Sequence, residues 1–240
     1  MGYGRENWTE KIAARTDLSS QLVHLTRSAM VDGEKRGPVD VLIRILLARR
    51  IAGSTTASGF IVGDVPATCF QDAPVYSIAQ NVYAEEQYRK AVPEAKVRYV
   101  GVGLMFGKPY VYQRGGRPVV YEDTERAKRM LPEEEWWRIV RFDLSDEEDM
   151  VDWSHEREWR VPGGFEFELG EVTVLLPGEY GYRRFIEGCE GCRDDVDILG
   201  EIKGIVSLGS VSIGRVPCVR QAYARSRVPL SVWSRPRPRS

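Results

Sequence analysis

The chain has 240 residues, of which 42% are hydrophobic and 10% aromatic, so it can bury a sizeable core and is not an intrinsically disordered protein. The formal net charge is -1, but it is unevenly distributed: fourteen acids and six basic residues lie from Glu122 to Glu158, whereas eight Lys or Arg and no acid follow Glu201. The apolar runs are shorter than the roughly 20 residues of a membrane-spanning helix, and the first residues lack the apolar segment of a secretion signal. We therefore predict a cytoplasmic protein with no membrane partner.

Helical patterns dominate the first part of the chain and strand patterns the later part. The first predicted elements are a short helix within the lead-in, a strand at 21–27, a helix that begins at Pro38 and is stopped by Gly53, a strand at 67–70 and a helix at 75–92. Strands at 96–105 and 109–122 follow, the second with a hairpin-like turn at Gly115 and Gly116. A helical segment at 123–144 then precedes strands at 156–162, 165–169 and 171–177. Residues 197–214 fit a helix or a strand. This order is typical of an α+β domain rather than a doubly wound parallel sheet.

These elements predict three parts of the chain: an N-terminal lead-in at 1–20, a single α+β domain at 21–222 and a basic, disordered tail at 223–240. The tail carries five Arg and one Trp between Arg225 and Arg239. Such a segment suits contacts with nucleic-acid phosphates and suits a solubilising role equally well.

The four cysteines are expected to be thiols in a reducing cytosol. Cys189 and Cys192 form a CxxC, for which a plain loop, a zinc site and a redox pair are the alternatives. Only Cys218 and a distant His could complete a zinc site, and we predict no metal.

The segment "HEREWRV" places two acids, Glu156 and Glu158, two residues apart. If it is a strand, both carboxylates stand about 7 Å apart on one face, where one can stabilise positive charge and the other can accept a proton. Arg160, next on that face, could keep one of them ionised. The alternative is an exposed strand face with an ordinary Arg–Glu pair.

Earlier segments offer polar and aromatic groups that suit a ligand. His24 and Thr26 share one face of the strand "LVHLTR" and could contact a ribose hydroxyl, although a lone His on an apolar strand is also a common core residue. Ser54 and Thr55 in "GSTTASGF" could bind a sugar or phosphate, or simply form the loop after a helix. Phe70 and Tyr76 in "CFQDAPVY" could wall a planar base.

The order of these groups, a His on an early strand, a Ser/Thr cluster, an aromatic segment and a late E-x-E, resembles the ADP-ribosyltransferase superfamily. More specifically, "CFQDAP", "PVVY" and "EREWR" are similar to the C-F-x-D-x-P, P-V-x-Y and E-x-E-W-R segments of bacterial abortive-infection proteins of the AbiGi type. DarT-type DNA ADP-ribosyltransferases look like more distant relatives. The resemblance covers about residues 21–176.

The resemblance implies an ADP-ribosyltransferase-like split β-sheet core with flanking helices, and NAD as substrate. His24 would contact the NAD ribose, Glu158 would be the catalytic acid and Glu156 would steer the acceptor. Tyr76 and Tyr83 are the candidates for stacking on nicotinamide. The implied partners are a macromolecular acceptor, protein or nucleic acid, and a cognate toxin or antitoxin, in phage defence or a toxin–antitoxin pair.

Two other functions remain open at this point. A catalytically silent domain of the same fold would bind a partner protein or nucleic acid, and would not need His24 and Glu158 in one cleft. A nuclease would use Asp152, Glu156 and Glu158 around Mg²⁺, which requires carboxylates that converge from different strands.

Overall fold

The computed structural model describes residues 2–95 and 97–211 of the chain. The predicted tail at 223–240, the predicted domain end at 222 and Cys218 lie outside these ranges. Within them, no helix is both long and apolar enough to cross a membrane.

The strands are β1 (Gln21–Leu25), β2 (Ala29–Val31), β3 (Glu34–Arg36), β4 (Arg50–Ile51), β5 (Ala67–Gln71), β6 (Gly103–Gly107), β7 (Arg117–Pro118), β8 (Val120–Glu122), β9 (Ile139–Arg141), β10 (Glu158–Pro162), β11 (Phe165–Glu166), β12 (Thr173–Leu176) and β13 (Gly204–Ser207). The α-helices are α1 (Arg5–Ala13), α2 (Pro38–Ala48), α3 (Val75–Ala91), α4 (Lys108–Gln113), α5 (Thr124–Met130), α6 (Glu179–Glu190), α7 (Ile198–Glu201) and α8 (Leu208–Val211). Short 3₁₀ helices cover Thr56–Ser58, Glu133–Arg138, Ser154–Glu156 and Leu169–Glu171.

A seven-stranded sheet in the order β13-β12-β6-β1-β5-β10-β7 organises the fold. Its pairings are antiparallel except that of β12 with β13. Smaller two-stranded sheets pair β2 with β3, β4 with β11 and β8 with β9. Helices flank the large sheet, and the predicted α+β class is confirmed.

The two faces of the large sheet bury different helices. On the face that we call the α2 face, Leu22, Phe70 and Phe106 join residues of α2 and α6 in the main apolar core. On the opposite face, which we call the α3 face, Val23 and Met105 pack with residues of α3. Because neighbouring residues of a strand point to opposite faces, each position of β1, β5 and β10 is assigned to one of the two faces.

The large sheet consists of two well-paired halves with a narrow connection. The first half-sheet is β13-β12-β6-β1, in which β1 pairs with β6 over five residues. The second half-sheet is β5-β10-β7, in which β10 also pairs with β5 over five residues. Between the halves, β1 and β5 share one register pair, Val23 with Gln71. We call this place the join.

Some local predictions are wrong. The strand and turn expected at 109–122 are instead α4 followed by β7 and β8, so no hairpin forms at Gly115 and Gly116. Pro109 lies in the first turn of α4, where its fixed φ and missing N–H are tolerated, and this outweighs the β preference of the aromatic residues after it. Gly53 does not end α2: that helix stops at Ala48, and Arg49 follows in the left-handed conformation with φ 50°.

Candidate active site

Glu158 lies at the first position of β10, next to the join. Its register partner across β5 is Gln71, the residue that also pairs with Val23 of β1. These three residues therefore form one row across both half-sheets and lie on the α3 face.

The His24 side chain connects the two half-sheets next to the single register pair of β1 and β5. Its Nδ1 lies 2.9 Å from the carbonyl oxygen of Cys69 in β5. A carbonyl oxygen only accepts, so this bond requires the proton on Nδ1, and Nε2 of the neutral ring is left as an acceptor. Burial lowers the His24 pKa; the bond to Cys69 opposes that shift and the charge of Arg27 adds to it. His24 is thus held neutral.

The Glu158 side chain is buried against Arg160, which stands two residues further along the same face. Nε of Arg160 donates to Oε1 of Glu158 at 2.9 Å, and Nη2 donates to Oε2 at 3.2 Å. The remaining donors bind the carbonyl oxygens of Trp137 and Ile139 (Nη1) and of Phe60 (Nη2), at 2.8, 3.1 and 3.1 Å. All five N–H donors of a guanidinium are therefore used within the protein. The predicted role of Arg160 as the partner of a carboxylate agrees with this geometry.

Cys69 and Tyr121 complete the surroundings of Glu158, and neither was predicted to act there. The Glu158 N–H donates to the Tyr121 hydroxyl at 2.7 Å. Burial raises the pKa of both the Cys69 thiol and the Tyr121 phenol, and the charges of Glu158 and Glu156 raise them further. Both groups thus remain protonated beside the carboxylates. The "PVVY" segment was a usable sequence signal for Tyr121.

Glu156 does not share a strand face with Glu158, so that expectation is wrong. It ends the 3₁₀ helix Ser154–Glu156, and Arg157 follows in the left-handed conformation with φ 43° before β10 begins. Its Oε1 accepts a hydrogen bond from the Tyr99 hydroxyl at 2.5 Å, and Nε2 of His155 lies 3.4 Å from the same hydroxyl. The turn still brings Glu156 close enough to Cys69 and Tyr121 to influence both.

The predicted ribose and phosphate contacts lie in different surroundings. Thr26 is 3% exposed, its N–H donates to the Val102 carbonyl, and its buried Oγ1 has no hydrogen-bond partner among the described residues. Ser54 and Thr55 are exposed, and Ser54 pairs with Ala67 at the entrance to β5. The Thr26 hydroxyl is therefore enclosed by the protein, whereas Ser54 and Thr55 are exposed.

The aromatic candidates are also separated. Phe70 is 1% exposed and packs edge-to-face on Phe106 and Phe165 in the main core, so its ring has no free face for a planar base. Tyr76 and Tyr83 lie two turns apart on α3 and are 54% and 49% exposed. Either could stack on a planar group without rearrangement of the core.

Strand alternation separates His24 from Glu158. Glu158 lies in the row of Val23 on the α3 face, so His24 falls on the α2 face, where its ring contacts Phe70 with centroids 5.9 Å apart. The join therefore has a neutral imidazole on one face and a paired carboxylate on the other.

The remaining cysteines and acids do not converge. Among the described residues, no three His, Cys, Asp or Glu side chains are grouped as metal ligands would be. Cys189 is 2% exposed at the end of α6, and burial raises its pKa to about 12, with a smaller contribution from Cys192. Asp152 accepts the Ser154 N–H at 2.8 Å, in the turn that precedes the 3₁₀ helix.

The site thus holds a carboxylate fixed by a guanidinium, a second carboxylate bound by a phenol, and two protonated groups between them. Such a cluster can stabilise a developing positive charge and accept a proton from a nucleophile. No protein-family model, curated protein or solved structure matches the chain.

Proposed function

We propose that this protein is an NAD-dependent ADP-ribosyltransferase that modifies a macromolecule, a protein or a nucleic acid, and that its sheet is the split core of that fold. The observation that carries the proposal is Glu158: a buried carboxylate, fixed by Arg160, next to the join between the two half-sheets. The similarity of "CFQDAP", "PVVY" and "EREWR" to abortive-infection proteins supports a role in phage defence or a toxin–antitoxin pair, with a cognate toxin or antitoxin as partner.

The first step would break the bond between the nicotinamide nitrogen and C1′ of the ribose. Nicotinamide leaves with the electron pair of that bond, and positive charge develops on the ribose. A carboxylate held in a water-poor site stabilises this charge far better than it would in water. Arg160 holds the Glu158 carboxylate in place, and each carboxylate oxygen retains lone pairs for the ribose 2′-hydroxyl.

In the second step, an oxygen or nitrogen of the acceptor forms a new bond to C1′ and loses its proton. Glu156 is the proposed proton acceptor, since its carboxylate lies in the turn that leads into β10 and is not buried against Arg160. Tyr76 or Tyr83 would stack on nicotinamide. His24 lies on the opposite face of the sheet and would not contact the ribose that Glu158 binds.

A second candidate is a catalytically silent domain that binds a partner protein or nucleic acid, as an antitoxin does. It is favoured by the placement of His24 and Glu158 on opposite faces. It is also favoured by the saturated hydrogen bonding of Arg160, which gives Glu158 the contacts of a structural ion pair.

The test is release of nicotinamide from NAD by the purified protein, with and without cell lysate, for the wild type and Glu158→Gln. The matched control is Glu168→Gln, because Glu168 also binds an arginine but is 65% exposed. We expect turnover by the wild type and E168Q, and a loss of about 100-fold or more in E158Q, comparable to the removal of one group that stabilises a transition state. Circular dichroism must show that E158Q is folded.

Labelled NAD would then identify the acceptor in the lysate. Wild type and E158Q that are equally silent, with no saturable NAD binding, would reject the enzyme and leave the binding domain.

A further inference from the structure

At the start of β10, the Glu158 N–H lies beyond the end of the backbone ladder on the outer edge of the strand. β7, the neighbouring strand, pairs with β10 at Trp159 and Arg160 and ends at Pro118. The Glu158 carbonyl still receives the Val119 N–H at 3.0 Å. Its N–H points to the same edge, beyond the end of the ladder, and the Tyr121 hydroxyl takes the place of the missing carbonyl at 2.7 Å.

Tyr121 belongs to a different sheet from Glu158. It is the central residue of β8, which pairs in parallel with β9. Arg160 reaches from β10 to the Ile139 carbonyl in β9, and Tyr121 reaches from β8 to the Glu158 N–H. Two contacts therefore link the small sheet to β10, one made by Arg160 and one by Tyr121. Both of these residues also bind Glu158, Arg160 at the carboxylate and Tyr121 at the N–H.

The phenol is suited to a lasting contact of this kind. Burial raises the Tyr121 pKa; the bond from the Glu158 N–H opposes that shift, and the charges of Glu158 and Glu156 add to it. The group therefore stays a neutral hydroxyl across the ordinary pH range and keeps accepting the backbone N–H.

We propose that Tyr121 is a positioning residue for Glu158. Arg160 fixes the carboxylate end of the side chain, and Tyr121 fixes the backbone from which that side chain starts. The inference rests on the proposed function, because it assigns Tyr121 to the same reaction through Glu158. It adds a residue that acts on the reaction through the Glu158 backbone.

The experiment compares the wild type with Tyr121→Phe, which removes the hydroxyl and keeps the ring. Tyr112→Phe is the control, since Tyr112 is 52% exposed and its ring contact with Arg117 does not need the hydroxyl. The first measurement is exchange of the Glu158 amide hydrogen with solvent. We expect exchange about tenfold faster in Y121F, as for loss of a hydrogen bond of ordinary strength.

The amide of Trp159, which pairs with Phe70 across β5, is the internal reference. A general loss of stability accelerates both amides together, whereas loss of the Tyr121 contact accelerates Glu158 alone. Equal exchange of the Glu158 amide in Y121F and the wild type, or equal acceleration of the two amides, overturns the inference.

The second measurement is NAD turnover. We expect kcat to fall about tenfold or more in Y121F while KM for NAD changes little, because displacement of a catalytic group impairs chemistry more than binding. A fall confined to binding contradicts the inference. A wild type without turnover rejects the proposed function, and amide exchange then decides the Tyr121–Glu158 contact by itself.

Discussion

Arg160 is the residue on which the candidate site depends most. It is 2% exposed, and its donors are divided between Glu158 and the carbonyl oxygens of three residues in two separate segments. A buried charge that loses its partner costs more than the pair contributes when intact. The intact ion pair therefore need not raise the free energy of unfolding by much, whereas removal of one partner should lower it strongly.

Arg160→Ala should lower the free energy of unfolding by about 3–5 kcal/mol, because it leaves Glu158 buried without a partner. Urea denaturation would measure the loss. Arg183→Ala is the control: Arg183 is 71% exposed in its pair with Glu179, and an exposed pair contributes at most about 1 kcal/mol. A double replacement of Glu158 and Arg160 by Leu and Met should be less destabilising than R160A; a double variant that is worse would contradict this account.

Residue types were a partial guide to the site. Glu158 and Arg160 could be predicted as a pair, because they are two apart in a strand-like segment. The position of Glu156 could not be predicted, because the left-handed backbone at Arg157 prevents β10 from extending back to Glu156. Nothing in "HERE" requires that conformation. The contacts of Cys69 and Tyr121 with Glu158 depend on which distant strands pair, and a single sequence does not specify that register.

At the scale of elements, β1, β5, α2 and α3 were predicted within a few residues, since α2 has a clear apolar period and a Pro lies at the start of both helices. Prediction failed where two signals compete. The aromatic run after Pro109 favours a strand by composition, but it follows a helix-starting proline and forms α4. Segment 123–144 combines a helix, a 3₁₀ helix and a strand, which one periodicity cannot describe.

The end of α2 leads to a test at the scale of an element. Arg49 holds φ 50° immediately after the helix, a conformation that costs a side-chain-bearing residue roughly 1 kcal/mol relative to glycine. Its ion pair with Glu201 is half-exposed and contributes little. Arg49→Gly should therefore raise the free energy of unfolding by about 0.5–1 kcal/mol.

Thermal or urea unfolding would check the change. Arg50→Gly is the matched control, because the next residue has the extended backbone of β4, where glycine only adds freedom to the unfolded chain. R50G should destabilise. If R49G destabilises as much as R50G, the left-handed position is not strained.

At the scale of the molecule, the join makes stability depend on pH through His24. Its pKa is lowered by burial, so the unfolded chain binds more protons than the folded one as pH falls below about 6.5. The contribution of the neutral His24 ring to the free energy of unfolding is fully present above that pH. It is lost as the pH falls toward the lowered pKa of His24 in the folded protein. The loss from this one group cannot exceed about 1.4 kcal/mol per pH unit.

His24→Asn keeps a side-chain N–H for the Cys69 carbonyl and removes the titration. We expect the difference in unfolding free energy between pH 7.5 and pH 5.5 to be smaller in H24N than in the wild type, with His155 present in both. Urea denaturation at the two pH values gives the comparison. An equal or larger difference in H24N would show that His24 is not held neutral by the fold.

The two half-sheets also alternate along the chain. β1 belongs to the first half-sheet, β5 to the second, β6 to the first, β7 and β10 to the second, and β12 and β13 to the first. No single cut in the polypeptide can therefore release either half intact. During synthesis, the seven-stranded sheet cannot be completed until residue 207 has left the ribosome. Strand pairings between residues this far apart in sequence form slowly. Until then, the emerging chain exposes unpaired strand edges, the feature that makes folding intermediates prone to aggregate.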